Sequence, residues 1–144
     1  FLLLAAANWV PPAHARQMPT PAQMLGPFYP LRPDPAAGSD LTNGGRAAGA
    51  PLHLVGRVSD VTGQPLSGLL VEIWQTNAHG RYHHPRDTSP APVDPEFRGY
   101  GRCITAADGG YAFRTIVPVV VEFCTVVVVL ANLDPYHENS VASS

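Results

Sequence analysis

Hydrophobic and polar residues alternate most clearly from Leu52 onward. Leu52, Leu54 and Val58 fall on one side of residues 52–58, with His53 and Arg57 between them, the period-two pattern of a half-buried strand. Residues 60–68 (DVTGQPLSG) gather turn formers. Residues 69–75 (LLVEIWQ) predict a second strand, with Leu69, Val71 and Ile73 on one face and Leu70, Glu72 and Trp74 on the other. A polar loop over 76–80 leads to a short strand at 81–84. Residues 85–96 hold four prolines and no period, predicting a long surface loop of the kind that carries function in compact domains. A further strand follows at 99–105, and Asp108-Gly109 predicts a hairpin turn into a strand at 111–116. That last strand places Tyr111, Phe113 and Thr115 on one face. Short strands, Gly/Pro turns and no helical segment predict an all-β sandwich.

The flanks read differently. Residues 16–50 are rich in Pro, Gly and Ala without a sustained period. They predict an extended N-terminal arm, with one helical turn available around Gln23, Met24 and Leu25. Residues 117–131 (VPVVVEFCTVVVVLA) are a valine run without alternation or turn residues, predicting one or two fully buried strands. Residues 132–144 are polar and predict no further strand. At the other end, residues 1–7 (FLLLAAA) are an apolar run followed by Ala13-His14-Ala15, the layout of a signal-peptide remnant over 1–15. Export to the periplasm or extracellular space is therefore expected, in preference to a short helix packed on the domain, because Pro11 and Pro12 interrupt such a helix. The run is too short to span a membrane.

Composition narrows the class. A chain of 144 residues with 45% hydrophobic and 14% charged residues bounds one globular domain. The net charge of −2 and the absence of a basic block argue against a nucleic-acid partner. Cys103 and Cys124 fit no zinc spacing and read as two free or buried thiols.

The densest candidate chemistry is His79, Arg81, Tyr82, His83 and His84. On a strand, His83 and His84 point to opposite faces and cannot easily share an ion, so the histidines read as a satisfied surface loop and not as a metal site. The spaced set Gly56-Arg57-Val58, Gly63, Pro65-Leu66, Gly68, Val71, Ile73, Asp108-Gly109, Tyr111 and Phe113 is similar to prealbumin-like and carboxypeptidase-regulatory-like sandwiches. A non-catalytic binding module is accordingly the alternative reading.

Embedded in that grammar is Val71-Glu72-Ile73-Trp74-Gln75-Thr76-Asn77-Ala78-His79-Gly80-Arg81-Tyr82, then His84-Pro85, Asp94-Pro95, Phe97, Gly99 and Gly101-Arg102. Thr105, Arg114-Thr115-Ile116 and Pro118 continue it; Thr20-Pro21, Gln23, Gly26-Pro27-Phe28-Tyr29-Pro30 and Asp40-Leu41-Thr42 precede it. This ordered set resembles the intradiol ring-cleavage dioxygenases, most closely the protocatechuate 3,4-dioxygenase-like members. The resemblance spans about residues 20–118, and its W-Q-x-N-A-x-G-R-Y segment is specific.

The resemblance implies an all-β intradiol-dioxygenase-like sandwich with a non-haem Fe(III) held by two tyrosinates and two histidines. The first tyrosine, after Gly-Arg, corresponds to Tyr82. Fe(III) is a hard acid that favours anionic oxygen, and a bound cation holds a phenol deprotonated. The implied reaction is cleavage of a catechol-type aromatic by O2 to a muconate, with a small aromatic diol and O2 as partners. The chain departs from the family after Pro118. No second tyrosine follows in Val119-Val120-Val121-Glu122, no R-P-x-H-x-H strand follows, and only Tyr136 and His137 lie further on. Residues 51–118 thus read as a partial core and 119–144 as an aberrant tail, with the C-terminal half missing or scrambled and Tyr82 the one ligand carried over. The pocket around Tyr82 is then expected to be open and incomplete. No residue beyond that ligand is assignable to catalysis.

Overall fold

The computed structural model describes residues 28–119 and, for the backbone, residues 129–132. Five strands occur among them: β1 (Pro51–Arg57), β2 (Leu69–Trp74), β3 (Tyr100–Ile104), β4 (Gly110–Ile116) and β5 (Val129–Asn132). β1 pairs antiparallel with β4, from Pro51 opposite Ile116 to Arg57 opposite Gly110. β2 is the centre of the second sheet, pairing antiparallel with β3 on one side and β5 on the other. No described residue is helical. The expected all-β sandwich is present, with strands at 52–58, 69–75, 99–105 and 111–116 as predicted and their ends displaced by a residue or so. β5 takes the end of the valine run expected to form a strand and runs one residue past it, to Asn132.

Alternation sets the packing. β1 half-buries its even positions and exposes Pro51, His53, Val55 and Arg57. Leu54 and Val58 meet Val71 and Ile73 of β2 and Phe113 and Ile116 of β4 in one core, joined by Phe97 and Leu41. Ile73, Val71 and Phe113 are at most 1% exposed, and burial of such side chains stabilises the fold by about 1.5–3 kcal/mol each. β2 is covered on both faces. On its other side Trp74 forms a second cluster with Tyr82 and Tyr100.

Three expectations are corrected. The Asp108-Gly109 turn does not join a hairpin, because β3 and β4 belong to different sheets. The turn itself closes locally, Ala106 and Gly110 sharing a 2.9 Å backbone hydrogen bond. Beyond it Thr105 N donates to Leu69 O and Val58 N donates to Gly109 O, so the two sides hand over to β2 and β1. Turn chemistry specifies the reversal of the chain, not which neighbour each strand finds.

Residues 81–84 are not a strand. The backbone of Arg81 is spent on Asn77, donating to Asn77 Oδ1 at 3.0 Å and accepting from Asn77 N at 2.8 Å, while Tyr82 N donates to Asp87 Oδ2 at 2.6 Å. No ladder partner is left for a sheet. Burial still alternates there, with Tyr82 and His84 buried and His83 exposed. His79 and His83 are exposed as expected, whereas His84 is buried at 5% exposure and is not a surface side chain.

The end of the expected arm is built into the sandwich. Leu41 N donates to Arg114 O, Arg98 N donates to Leu41 O, and Arg114 N donates to Ser39 O, each at 2.9 Å. Leu41 is fully buried. Cys103 is a half-buried free thiol. The proposed leader, the possible turn at 23–25, Cys124, Tyr136 and His137 lie outside the described residues.

Candidate active site around Tyr82

The approach to Tyr82 is built by the side chains of the W-Q-x-N-A-x-G-R-Y segment. Gln75 N donates to Gly99 O at 2.9 Å. Its side chain donates to Ile116 O at 3.0 Å and accepts from Thr115 Oγ1 at 2.9 Å. Gln75 therefore ties the end of β2 to the end of β4 across the two sheets. Asn77, 3% exposed, accepts at Oδ1 from His79 N and Arg81 N and donates from Nδ2 to Pro92 O at 2.9 Å. Gly80 at φ 81° completes the turn, a backbone conformation that glycine adopts without a steric cost.

From that turn the chain presents Tyr82. Asp87 holds the far side, accepting from Tyr82 N and from Ser89 N and lying 3.7 Å from Arg81 Nη1. Arg81 Nη1 also donates to Ser89 O. Tyr82 is 7% exposed and packs with Trp74 and Tyr100. Its ring stacks on His84 with centroids 6.2 Å apart and planes 8° off parallel. Phe28 stands edge-on to His84 at 5.7 Å, and Tyr29 edge-on to Trp74 at 5.1 Å, geometries that aromatic quadrupoles favour. The surround expected to be open is thus closed over the tyrosine ring.

Burial raises the Tyr82 phenol above its ordinary pKa of 10.0, and the neighbouring Tyr29 adds to the rise. His84 Nδ1 accepts from Arg86 N at 3.1 Å, while Nε2 is buried with no hydrogen-bond partner. A ferric centre needs several convergent anionic or imidazole donors. Among the described residues, no three His, Cys, Asp or Glu side chains converge. These residues do not by themselves fit Fe(III).

The sequence reading missed the partners of Glu72. This side chain on β2 is 4% exposed. Tyr29 Oη donates to its Oε2 at 3.1 Å and Tyr100 Oη donates to its Oε1. The available signal was a carboxyl residue at an even, buried position of β2.

Comparison with known proteins bears on the same residues. A family profile described as dioxygenase matches residues 24–140. The protocatechuate 3,4-dioxygenase beta chain of Burkholderia cepacia is 49% identical over 83 residues, covering 55% of this chain and 35% of that one. Catechol 1,2-dioxygenase 1 of Acinetobacter lwoffii is 36% identical over 108 residues, covering 69% and 32%. The chain spans about a third of the length of these curated relatives. Among solved structures, the dioxygenase domain of a dioxygenase and carbohydrate-binding fusion from Streptomyces sp. SirexAA-E superposes with a TM-score of 0.58 at 31% identity, over 78% of this chain and 64% of that one. Catechol 1,2-dioxygenase from Pseudomonas arvilla C-1 gives a TM-score of 0.53 at 35% identity, over 69% and 30%. Sequence motif, strand arrangement and profile match coincide on one stretch of chain, and the protein belongs to the intradiol ring-cleavage dioxygenase family.

Proposed function

We propose that the family function this chain carries in part is Fe(III)-dependent intradiol cleavage, in which O2 breaks the carbon–carbon bond between the two hydroxyl-bearing carbons of a catechol-type aromatic to give a muconate. Tyr82 is the residue assigned to the iron. The observation that carries the reading is the way Asn77 and Asp87 spend their hydrogen-bonding groups on presenting this one tyrosine. Trp74, Tyr100 and Phe28 pack around the tyrosine as an aromatic surround. What these residues contribute is position and exclusion of water; the iron would supply the O2 chemistry. Tyr82 without convergent donors does not hold Fe(III) tightly, so the 144-residue chain by itself is proposed to be inactive. Export is proposed from the apolar run at 1–7 and Ala13-His14-Ala15.

The test is spectroscopic. The purified chain given iron should lack a stoichiometric tyrosinate-to-iron charge-transfer band and should not consume O2 with catechol or protocatechuate. Joined to a family-like C-terminal half carrying the second tyrosine and both histidines, it should become coloured and make muconate, and Tyr82→Phe should abolish both. A correctly folded joined protein that stays colourless would overturn the assignment of Tyr82. Catechol cleavage by the unmodified chain would overturn its proposed inactivity.

A further inference from the structure

We propose that Glu72 is a positioning residue whose side chain clamps Tyr29, and with it the Phe28-Tyr29 dipeptide, as the wall that closes the aromatic cluster around Trp74 and Tyr82. In its bearing on binding of a planar aromatic diol, the inference rests on the functional reading above.

Glu72 lies on the face of β2 that points away from the main core, two residues before Trp74, and is 4% exposed. A buried carboxyl group is costly unless its oxygens find donors. Here each oxygen accepts from a different phenol, Oε2 from Tyr29 at 3.1 Å and Oε1 from Tyr100. The two donors are not equivalent. Tyr100 is on the adjacent strand, paired directly with Trp74, so its position is already set by the β2–β3 ladder. Tyr29 lies 43 residues upstream and in no strand; its bond to Glu72 is a tether across the fold.

What the tether holds is the contact pattern of the site. Tyr29 stands on the Trp74 ring at 5.1 Å with planes at 80°. The adjacent Phe28 stands on His84 at 5.7 Å with planes at 87°, and His84 stacks on Tyr82. One dipeptide therefore touches both ends of the cluster, and the hydroxyl of its tyrosine is fixed by Glu72. Ring contacts of this kind accept more than one arrangement, offset-stacked or edge-to-face. A hydrogen bond of fixed length selects one arrangement.

The experiment uses the full chain in a Trp9→Phe background, leaving Trp74 as the only tryptophan of the two. Acrylamide quenching of Trp74 reads the closure of the wall without any ligand. Tyr29→Phe and Glu72→Leu should each raise quenching severalfold, and the double variant should add nothing further, because both break the same bond. Glu72→Gln keeps a side-chain oxygen and an amide for the two phenols and should retain most of the shielding. Tyr100→Phe should lower the melting temperature without the rise in quenching. A merely structural role for Glu72 would instead let quenching follow melting temperature across all five variants, and that pattern would overturn the inference. Tyr29→Phe removes one oxygen atom and remains decisive should Glu72→Leu fail to fold; unchanged quenching in folded Tyr29→Phe also sinks the clamp. Titration with catechol, followed by Trp74 emission, should show affinity about tenfold weaker in Tyr29→Phe. A parent chain whose emission ignores catechol would count against this cluster as a surface for the diol, while the quenching series decides the clamp either way.

Discussion

Gly99 lies flat against the ring of Tyr82, so closely that a Cβ at position 99 would come within 3.1 Å of Tyr82 Cε2 and 3.2 Å of Cδ2. Its φ of +69° is in the left-handed region. Gly99→Ala therefore meets two obstacles, a backbone strain of about 1–2 kcal/mol and a displaced tyrosine. Gly63 has a φ of +86°, and a Cβ there would find nothing within 4 Å, so Gly63→Ala isolates the strain. Denaturant unfolding should show the greater loss for Gly99→Ala, and only that variant should alter the near-ultraviolet circular dichroism of the aromatic cluster.

Asn77 carries the turn that presents Tyr82. Asn77→Ala removes two acceptances and one donation inside a buried site and should cost about 2–4 kcal/mol. Asn77→Asp keeps the acceptor for His79 N and Arg81 N but sets an oxygen against Pro92 O, so it should recover only part of that loss. Thermal melting of the three proteins checks the order.

Leu41 tests whether residues 39–47 belong to the folding unit. It is fully buried among Ile73, Phe97 and Phe113, and Leu41→Ala should cost about 2–5 kcal/mol. A peripheral arm would lose almost nothing on the same change. Equilibrium unfolding of the full chain separates the two.

What the sequence made legible follows from the range of each interaction. Leu52 and Leu54 flank the exposed His53, and that local period places β1 and its inward face. The Tyr82 segment was legible because Asn77 acts on His79 and Arg81, its near neighbours in the chain, and their spacing is the motif. Leu41, by contrast, has no periodic neighbours, and its burial comes from backbone bonds to Arg98 and Arg114. The partition of β3 and β4 into different sheets is decided by Leu69 and Val58 at a distance from the Asp108-Gly109 turn. Tyr29 and Glu72 are similarly far apart in sequence, so neither residue announces the other. His84 was misread for a related reason: its burial is made by Phe28 and Tyr82 rings, not by its own context.

Alkaline pH should loosen the aromatic cluster before the rest of the fold. Burial, and then Glu72, push the Tyr29 phenol from 10.0 up to about 12; Tyr82 and Tyr100 move in the same direction, chiefly through burial. A pKa raised in the folded state favours the protonated form there. The stabilisation is fully present below pH 10 and is lost as pH rises through about 12. Unfolding midpoints should fall across that window, with tyrosinate absorbance rising alongside. Tyr29→Phe should flatten the fall, and a midpoint independent of pH over this interval would refute the linkage.

β2 has no face turned to water: Val71 and Ile73 enter the main core while Glu72 and Trp74 enter the aromatic cluster. The strand is thus a ruler with two scales engraved on opposite sides. Deleting or inserting a single residue within it would exchange the scales, driving a carboxyl and an indole among Phe97 and Phe113 and turning two aliphatic side chains toward Tyr82. Point substitutions can explore either side separately, but changes of length cannot. Natural variation in this part of the family should therefore accumulate as replacements along β2, with gaps displaced into the loops at 60–68 and 85–96.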